Sequence, residues 1–281
     1  MHLTVHDRPE SFLAAAGLFL RRAEAENSII GTPAARMIEA PHEDDAGSYF
    51  ATVAEAGSIV GAAFHGSDGG ALLSAGPDTA LGLIAADLAD RGRKVRHVVG
   101  PPMACEAFAR TWRERTGQDH ALRYRHRHLE LARSPRRFAA SGRMRELRVD
   151  EHDLILDWQA AFVVEVGMPD NLESVRKKTL RRLEQGGFRV WDDDGVVAFA
   201  GYGAGGDTAR IAPVYTPPRF RCRGYASALV AELSRELVEG GKRALFLTTD
   251  VANPTSNSIY QKIGYRPVAE HVHLALVAAT T

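Results

Sequence analysis

The sequence predicts an α/β (α+β) chain in which one unit of strands and helices is used twice. Three observations carry this. Apolar residues switch repeatedly between the period of a strand and that of a helix. Residues 132–142, rich in Ser, Pro, Gly and basic side chains, interrupt that periodicity near the middle of the chain. The order of elements before the interruption recurs after it. Domains are therefore expected at residues 1–132 and 144–281, joined by a linker at 133–143.

In the first half, residues 10–26 and 33–38 have helical spacing, and residues 49–55 and 58–64 alternate as paired strands about Gly57. Residues 71–74 continue the sheet, 78–90 are helical, and 95–99 form a buried strand. A helix at 105–115 ends at Gly117, and 126–131 is a last strand. The second half opens with a strand at 144–149 and helices at 153–166 and 172–184. Strands at 188–191 and 196–202 then flank a hairpin turn, Asp192-Asp193-Asp194-Gly195. A strand at 209–214, a helix to residue 239, a strand at 244–249, a helix ended by Gly264 and a strand at 271–276 complete it. Aligning residues 88–100 with 237–249 matches a helix end, a turn with Gly and basic residues, and a buried strand in both copies.

Composition narrows the function. With 45% hydrophobic and 25% charged residues the chain is neither disordered nor fibrous. Lys+Arg and Asp+Glu are 35 each, so no global field draws the chain to nucleic acid or an anionic membrane. Neither is expected as a partner. Cys105 and Cys222 are too far apart for a paired zinc or disulfide spacing, and the adjacent carboxylates of Asp192, Asp193 and Asp194 suit a turn better than an ion. No metal is expected. No stretch approaches the roughly 18 apolar residues of a membrane span, and the N-terminus has no signal-like pattern, so a soluble cytoplasmic chain is expected. The basic stretch 123–128, with Arg133, Arg136 and Arg137, reads as the polar face of a strand followed by a solvated linker.

One segment is more specific. The strand-like run 210–216 passes through Pro217 and Pro218 into Arg221-Cys222-Arg223-Gly224-Tyr225-Ala226, and then into an amphipathic helix from Ser227 to Glu239. The first turn of a helix leaves N–H groups without intrahelical partners, and the macrodipole adds about half a positive charge there. A pyrophosphate is well held in such a place. Gly224 permits a positive φ or a close approach, and Ala226 leaves room for it. Pro213 has no N–H to give to a ladder, so a break or bulge is expected beside it.

These residues resemble the GCN5-related N-acetyltransferase family. The pyrophosphate signature, Gln or Arg-x-x-Gly-x-Gly or Ala, stands as Arg221-Cys222-Arg223-Gly224-Tyr225-Ala226. A later signature stands as Asn253, then a helix carrying Asn257 and Tyr260, then Gly264 and Tyr265. The resemblance covers residues 144–276; the first half agrees in element order only, and its Ala75-Gly76-Pro77-Asp78 turn has no equivalent of the signature. The whole chain is similar to a tandem member with a degenerate N-terminal half. Each half is then expected to be a mixed, mostly antiparallel twisted sheet flanked by helices, with splayed central strands.

The resemblance further implies acetyl-CoA as co-substrate and a primary amine, on a small molecule or a protein, as acceptor. Main-chain groups of Val214, Tyr215 and Thr216 would meet the pantetheine arm, and an N–H there would stabilise the oxyanion. Residues 221–226 and Ser227 would hold the phosphates. Asn253 and Asn257 would contact the arm or cap a helix. Tyr260 would protonate the departing thiolate as a phenol of pKa about 10. Glu165 and Asp250 are candidate bases, although holding the amine and thioester in attack geometry supplies much of the rate without one. Alternatives are an enzyme of small-thiol biosynthesis similar to mycothiol synthase and a non-catalytic acyl-CoA sensor. One active site per chain is expected, in a monomer or homodimer.

Overall fold

The computed structural model describes residues 1–167 and 172–278. The chain divides into two compact units. The first holds Met1–Leu129, Thr248–Pro254 and Pro267–Thr281; the second holds Glu130–Leu247 and Thr255–Arg266. The C-terminal segment thus packs with the first unit, against the chain order.

In the first unit, β1 (His2–His6) pairs antiparallel with β2 (Tyr49–Glu55), which runs antiparallel to β3 (Ser58–His65), and β3 to β4 (Gly70–Leu73). A crossover through α3 (Asp78–Asp90) makes β5 (His97–Gly100) parallel to β4. After α4 (Pro102–Thr116) comes β6 (Asp119–Leu131). The place beside β5 is taken by the C-terminal strand β12 (Tyr265–Val277), paired antiparallel from Val272↔Gly100 to Ala275↔His97, with β6 on its far side.

Both faces of this sheet are covered, which explains why β2 is apolar almost throughout instead of alternating. Tyr49, Ala51 and Val53 join a core with Leu81, Ile84 and Leu88 of α3 and Phe108 and Trp112 of α4. Phe50, pointing the other way, joins Phe12 of α1 (Pro9–Arg22) and Ile30 of α2 (Glu24–Glu39).

The second unit repeats the plan. β7 (Arg143–Glu146), β8 (Phe188–Asp192), β9 (Val196–Gly205) and β10 (Thr208–Tyr215) form an antiparallel run, and α7 (Tyr225–Glu239) crosses to β11 (Ala244–Asp250), parallel to β10. α5 (His152–Glu165) and α6 (Leu172–Glu184) supply Ile155, Leu156 and Leu183 to a core with Phe188, Val190, Phe199 and Tyr215. α7 packs on the strands and buries Leu229, Val230, Leu233 and Leu237. Arg189 of β8 ties to Glu236 of α7 at 2.7 Å. α8 (Pro254–Ile263) follows β11.

Several elements differ from the sequence expectation. β1 is an additional strand, whose alternation of polar and apolar residues is too short to stand out from the sequence. α2 is one helix running through Pro33, where the sequence suggests a break. Burial of Ile29, Ile30, Ala34 and Met37 outweighs the missing N–H there. Residues 132–142 are docked rather than a free tether: Ala132 N–H donates to Gly264 O, Arg136 N–H to Ile263 O, and Ser141 Oγ to Asp193.

Candidate functional site

The β10–β11 pairing runs from Thr208↔Ala244 to Ile211↔Leu247, while β10 itself continues to Tyr215. Its register against β9 shifts between Ile211 and Val214, and the Ala212–Pro213 peptide is cis. The irregularity stands beside Pro213, which has no donor for a ladder. Beyond it Val214 and Tyr215 pair with Ala200 and Phe199 of β9. The parallel pairing of the two central strands therefore stops partway along β10.

Residues 216–224 then turn the chain into α7. Pro218–Phe220 is a single 3₁₀ turn, Cys222 has φ +62°, and Gly224, the N-cap, has φ +83°. Two left-handed residues so close together turn the chain sharply into the start of the helix. Among the described residues no side chain caps α7, and its first intrahelical bond is Ala228 N–H to Gly224 O. The N–H groups of Tyr225, Ala226 and Ser227 thus precede any intrahelical acceptor. A Cβ on Gly224 would lie 3.5 Å from Ala139 O, an ordinary contact, so backbone conformation is what demands glycine there.

The loop is braced from two sides. Arg221 Nη2 donates to Glu165 Oε2 at 2.6 Å, and its Nε donates to Thr216 O at 2.9 Å, closing the two ends of the loop on each other. Tyr215 sits beneath the Arg221 guanidinium, packed against Trp158, Phe162 and Phe199. Burial and the Glu165 carboxylate push the Tyr215 phenol above the usual range. On the other side, Tyr225 is buried and its hydroxyl donates to Asp193, which also accepts from Ser141 Oγ at 2.7 Å. Those two bonds hold the Asp193 carboxyl below the ordinary carboxylate range. Tyr225 can therefore offer a ligand only its main chain. Cys222 and Arg223 are exposed.

Tyr260 lies on the buried face of α8 with Asn257, one turn earlier, and Ile263. Its ring meets Tyr265 edge-on at 6.4 Å, and the Tyr265 hydroxyl is 2.7 Å from Ser234 Oγ of α7. Burial pushes the Tyr260 phenol up to about 12, so the group is protonated at neutral pH. The turn after α8 requires Gly264: φ is +135°, and a Cβ would stand 3.1 Å from Arg133 O.

Val214, Tyr215, Thr216, residues 221–227, Asn257 and Tyr260 all belong to the second unit. Asn253 is exposed just ahead of α8, donates its N–H to Asp250 O, and belongs to the first unit. The candidate bases are both engaged: Glu165 pairs with Arg221, and Asp250 Oδ1 accepts from Ala252 N–H at 2.8 Å. The Asp193 and Tyr215 braces are not legible in the sequence, because their partners are far apart in the chain. In the first unit, residues 74–77 alone join β4 to α3, and a Cβ on Gly76 would stand 2.6 Å from Val60 O. That turn has no counterpart of the longer loop.

Residues 152–265 match the family model described as the acetyltransferase (GNAT) family. Among solved structures, a GCN5-related N-acetyltransferase from Sphaerobacter thermophilus superposes with a TM-score of 0.59 at 16% identity, over 99% of this chain and 97% of that one. A GNAT-family acetyltransferase from Colwellia psychrerythraea gives 0.58 at 10% identity, over 99% and 100%. A tandem GNAT protein from the clavulanic acid biosynthesis pathway gives 0.58 at 14%, over 100% of both chains. At these identities the likeness is one of fold. No curated protein matches the chain in sequence.

Proposed function

Residues 152–265 are an acetyltransferase domain of the GNAT family, and from that premise we propose that the chain transfers the acetyl group of acetyl-CoA to a primary amine by direct attack on the thioester. The observation that carries the reading is the 216–224 loop, in which left-handed Cys222 and Gly224 deliver the uncapped N-terminus of α7. This donor set fits a pyrophosphate: main-chain N–H groups aligned with the helix dipole, with Ala226 and Gly224 leaving the approach open.

Acetyl-CoA supplies an activated acyl group on a thiol leaving group. The chain's own part is to bind, orient and move one proton. The N–H groups of Tyr225, Ala226 and Ser227 hold the phosphates, and exposed Arg223 adds charge at the rim. Main-chain groups of Val214 and Tyr215 at the end of β10, past the point where its pairing with β11 stops, and of Thr216 just beyond it, take the pantetheine amides and donate to the developing oxyanion. Tyr260 keeps its proton at Oη until a thiolate forms, then delivers it to sulfur. With Glu165 and Asp250 already engaged, deprotonation of the amine falls to water, and the rate comes chiefly from positioning.

Calorimetry with acetyl-CoA, followed by a free-thiol release assay against a panel of primary amines, tests the proposal. Binding with release on at least one amine is expected. Binding without release on any acceptor would overturn the catalytic part, and absence of binding would overturn the phosphate site as well.

A further inference from the structure

We propose that His126, His128 and His271 form a binding site for one divalent transition-metal ion in the first unit. The residues come from neighbouring strands. On β6, Tyr124, His126 and His128 alternate with Arg123, Arg125 and Arg127, so strand geometry sends the imidazoles to one face and the guanidinium groups to the other. β12 lies beside β6 and contributes His271. The His128 and His271 rings are 4.0 Å apart between centroids, His126 and His128 5.1 Å, and His126 and His271 5.8 Å. One ligand nitrogen from each lies within 4.8 Å of the other two. His128 and His271 are completely buried.

Three imidazoles converging at this distance have a chemistry that a core of apolar side chains does not need. Neutral imidazole is the protein ligand suited to Zn²⁺, Co²⁺, Ni²⁺ and Cu²⁺, and three histidines with one further donor make an ordinary tetrahedral set. Zn–N bonds of about 2.0–2.1 Å place ligand nitrogens roughly 3.4 Å apart in a tetrahedron, so modest ring rotations close the site. A carboxylate is at hand to offset the cation's charge: Glu26 of α2 lies 3.9 Å from His271 Nε2, with its side chain 26% exposed. It serves as the fourth ligand or accepts the outer N–H of His271. An ion held there cross-links β6 to β12, the strand that the C-terminal segment lends to this sheet. No local motif announces the site, because its ligands lie on two strands remote in sequence; the Arg127–Glu270 pair on the same two strands spans 143 residues.

The test uses untagged full-length protein, stripped with a chelator and titrated with Co²⁺ and Zn²⁺. One Co²⁺ per chain with a visible ligand-field band is expected, displaced by Zn²⁺, together with a Zn²⁺-dependent rise in Tm. His126→Ala and His128→Asn, checked for folding by circular dichroism, should each weaken binding at least about tenfold. His2→Ala, an exposed residue of β1, should leave it unchanged. No stoichiometric uptake by the wild type, or uptake equal in the wild type and both ligand variants, overturns the proposal. If a variant fails to fold, the wild-type titration decides alone.

Discussion

In the proposed acid role Tyr260 would use a phenol that lies on the buried face of α8 and is pushed up to about 12 by burial. Because the folded value lies above that of a free tyrosine, the proton is retained through the pH range in which an amine nucleophile becomes neutral. Tyr260→Phe should lower turnover about 10- to 100-fold and leave acetyl-CoA affinity within about twofold. The alkaline limb of the wild-type pH–rate profile should not fall below about pH 11 through this group; an earlier limb that disappears in Tyr260→Phe would remove it from the acid role. Gly224 works through its backbone. Its φ of +83° is hostile to a β-branched side chain, so Gly224→Val should abolish acetyl-CoA binding by calorimetry, while Gly224→Ala should cost about 1 kcal/mol of stability in urea unfolding. Both residues are singled out by the sequence because the signatures that carry them are local. Tyr225 was legible only in part: the motif marks its main chain, but the tertiary contact with Asp193 commits its side chain.

At the scale of elements, the hairpin at residues 192–195 does more than reverse the chain. Asp192 accepts from Arg145 Nε at 2.6 Å, and Arg145 forks onto both oxygens of Glu151 at 2.7 Å, joining β7, β8 and the start of α5. Hydrogen bonds from Arg145 hold the Glu151 carboxyl well below its usual value. A depressed folded value means that the stabilisation is present above the unfolded pKa, roughly 4.3, and is lost as pH falls through the folded one. Glu151→Ala should destabilise the protein by about 2–3 kcal/mol at neutral pH, and the difference from wild type should shrink as acid unfolding is followed below about pH 4. An unchanged difference at low pH would show that the loss is packing rather than charge. The helices at 78–90 and 172–184 were readable from periodicity to the residue. α2 was not, because Pro33 is a local veto and the burial that overrides it is long-range.

Across the whole molecule, the decisive feature is the destination of β12. Val272 and Leu274 are part of the first unit's core, and residues 272–275 pair with β5. A chain truncated after Arg266 should therefore lose the first unit's cooperative unfolding transition, because it uncovers β5 and opens the core where two large aliphatic side chains sat. A fragment of residues 1–132 should behave likewise, with weak amide protection in hydrogen exchange. Full protection in that fragment would show that β12 is dispensable there.

What the sequence determined by itself was whatever depends on neighbours along the chain. Periodicity assigns most strands and helices, the strand–turn–helix at 210–239 is where an anion site is expected, and the short turn at 75–78 has no counterpart of that loop. Only the tertiary structure decided what depends on partners far away: the pairing of β12 with β5, the braces on the 216–224 loop from Glu165 and Asp193, and the meeting of His126, His128 and His271. The physical reason is that backbone conformation is set within a few residues, whereas strand partners and side-chain clusters are chosen by the total apolar surface that the folded chain can bury.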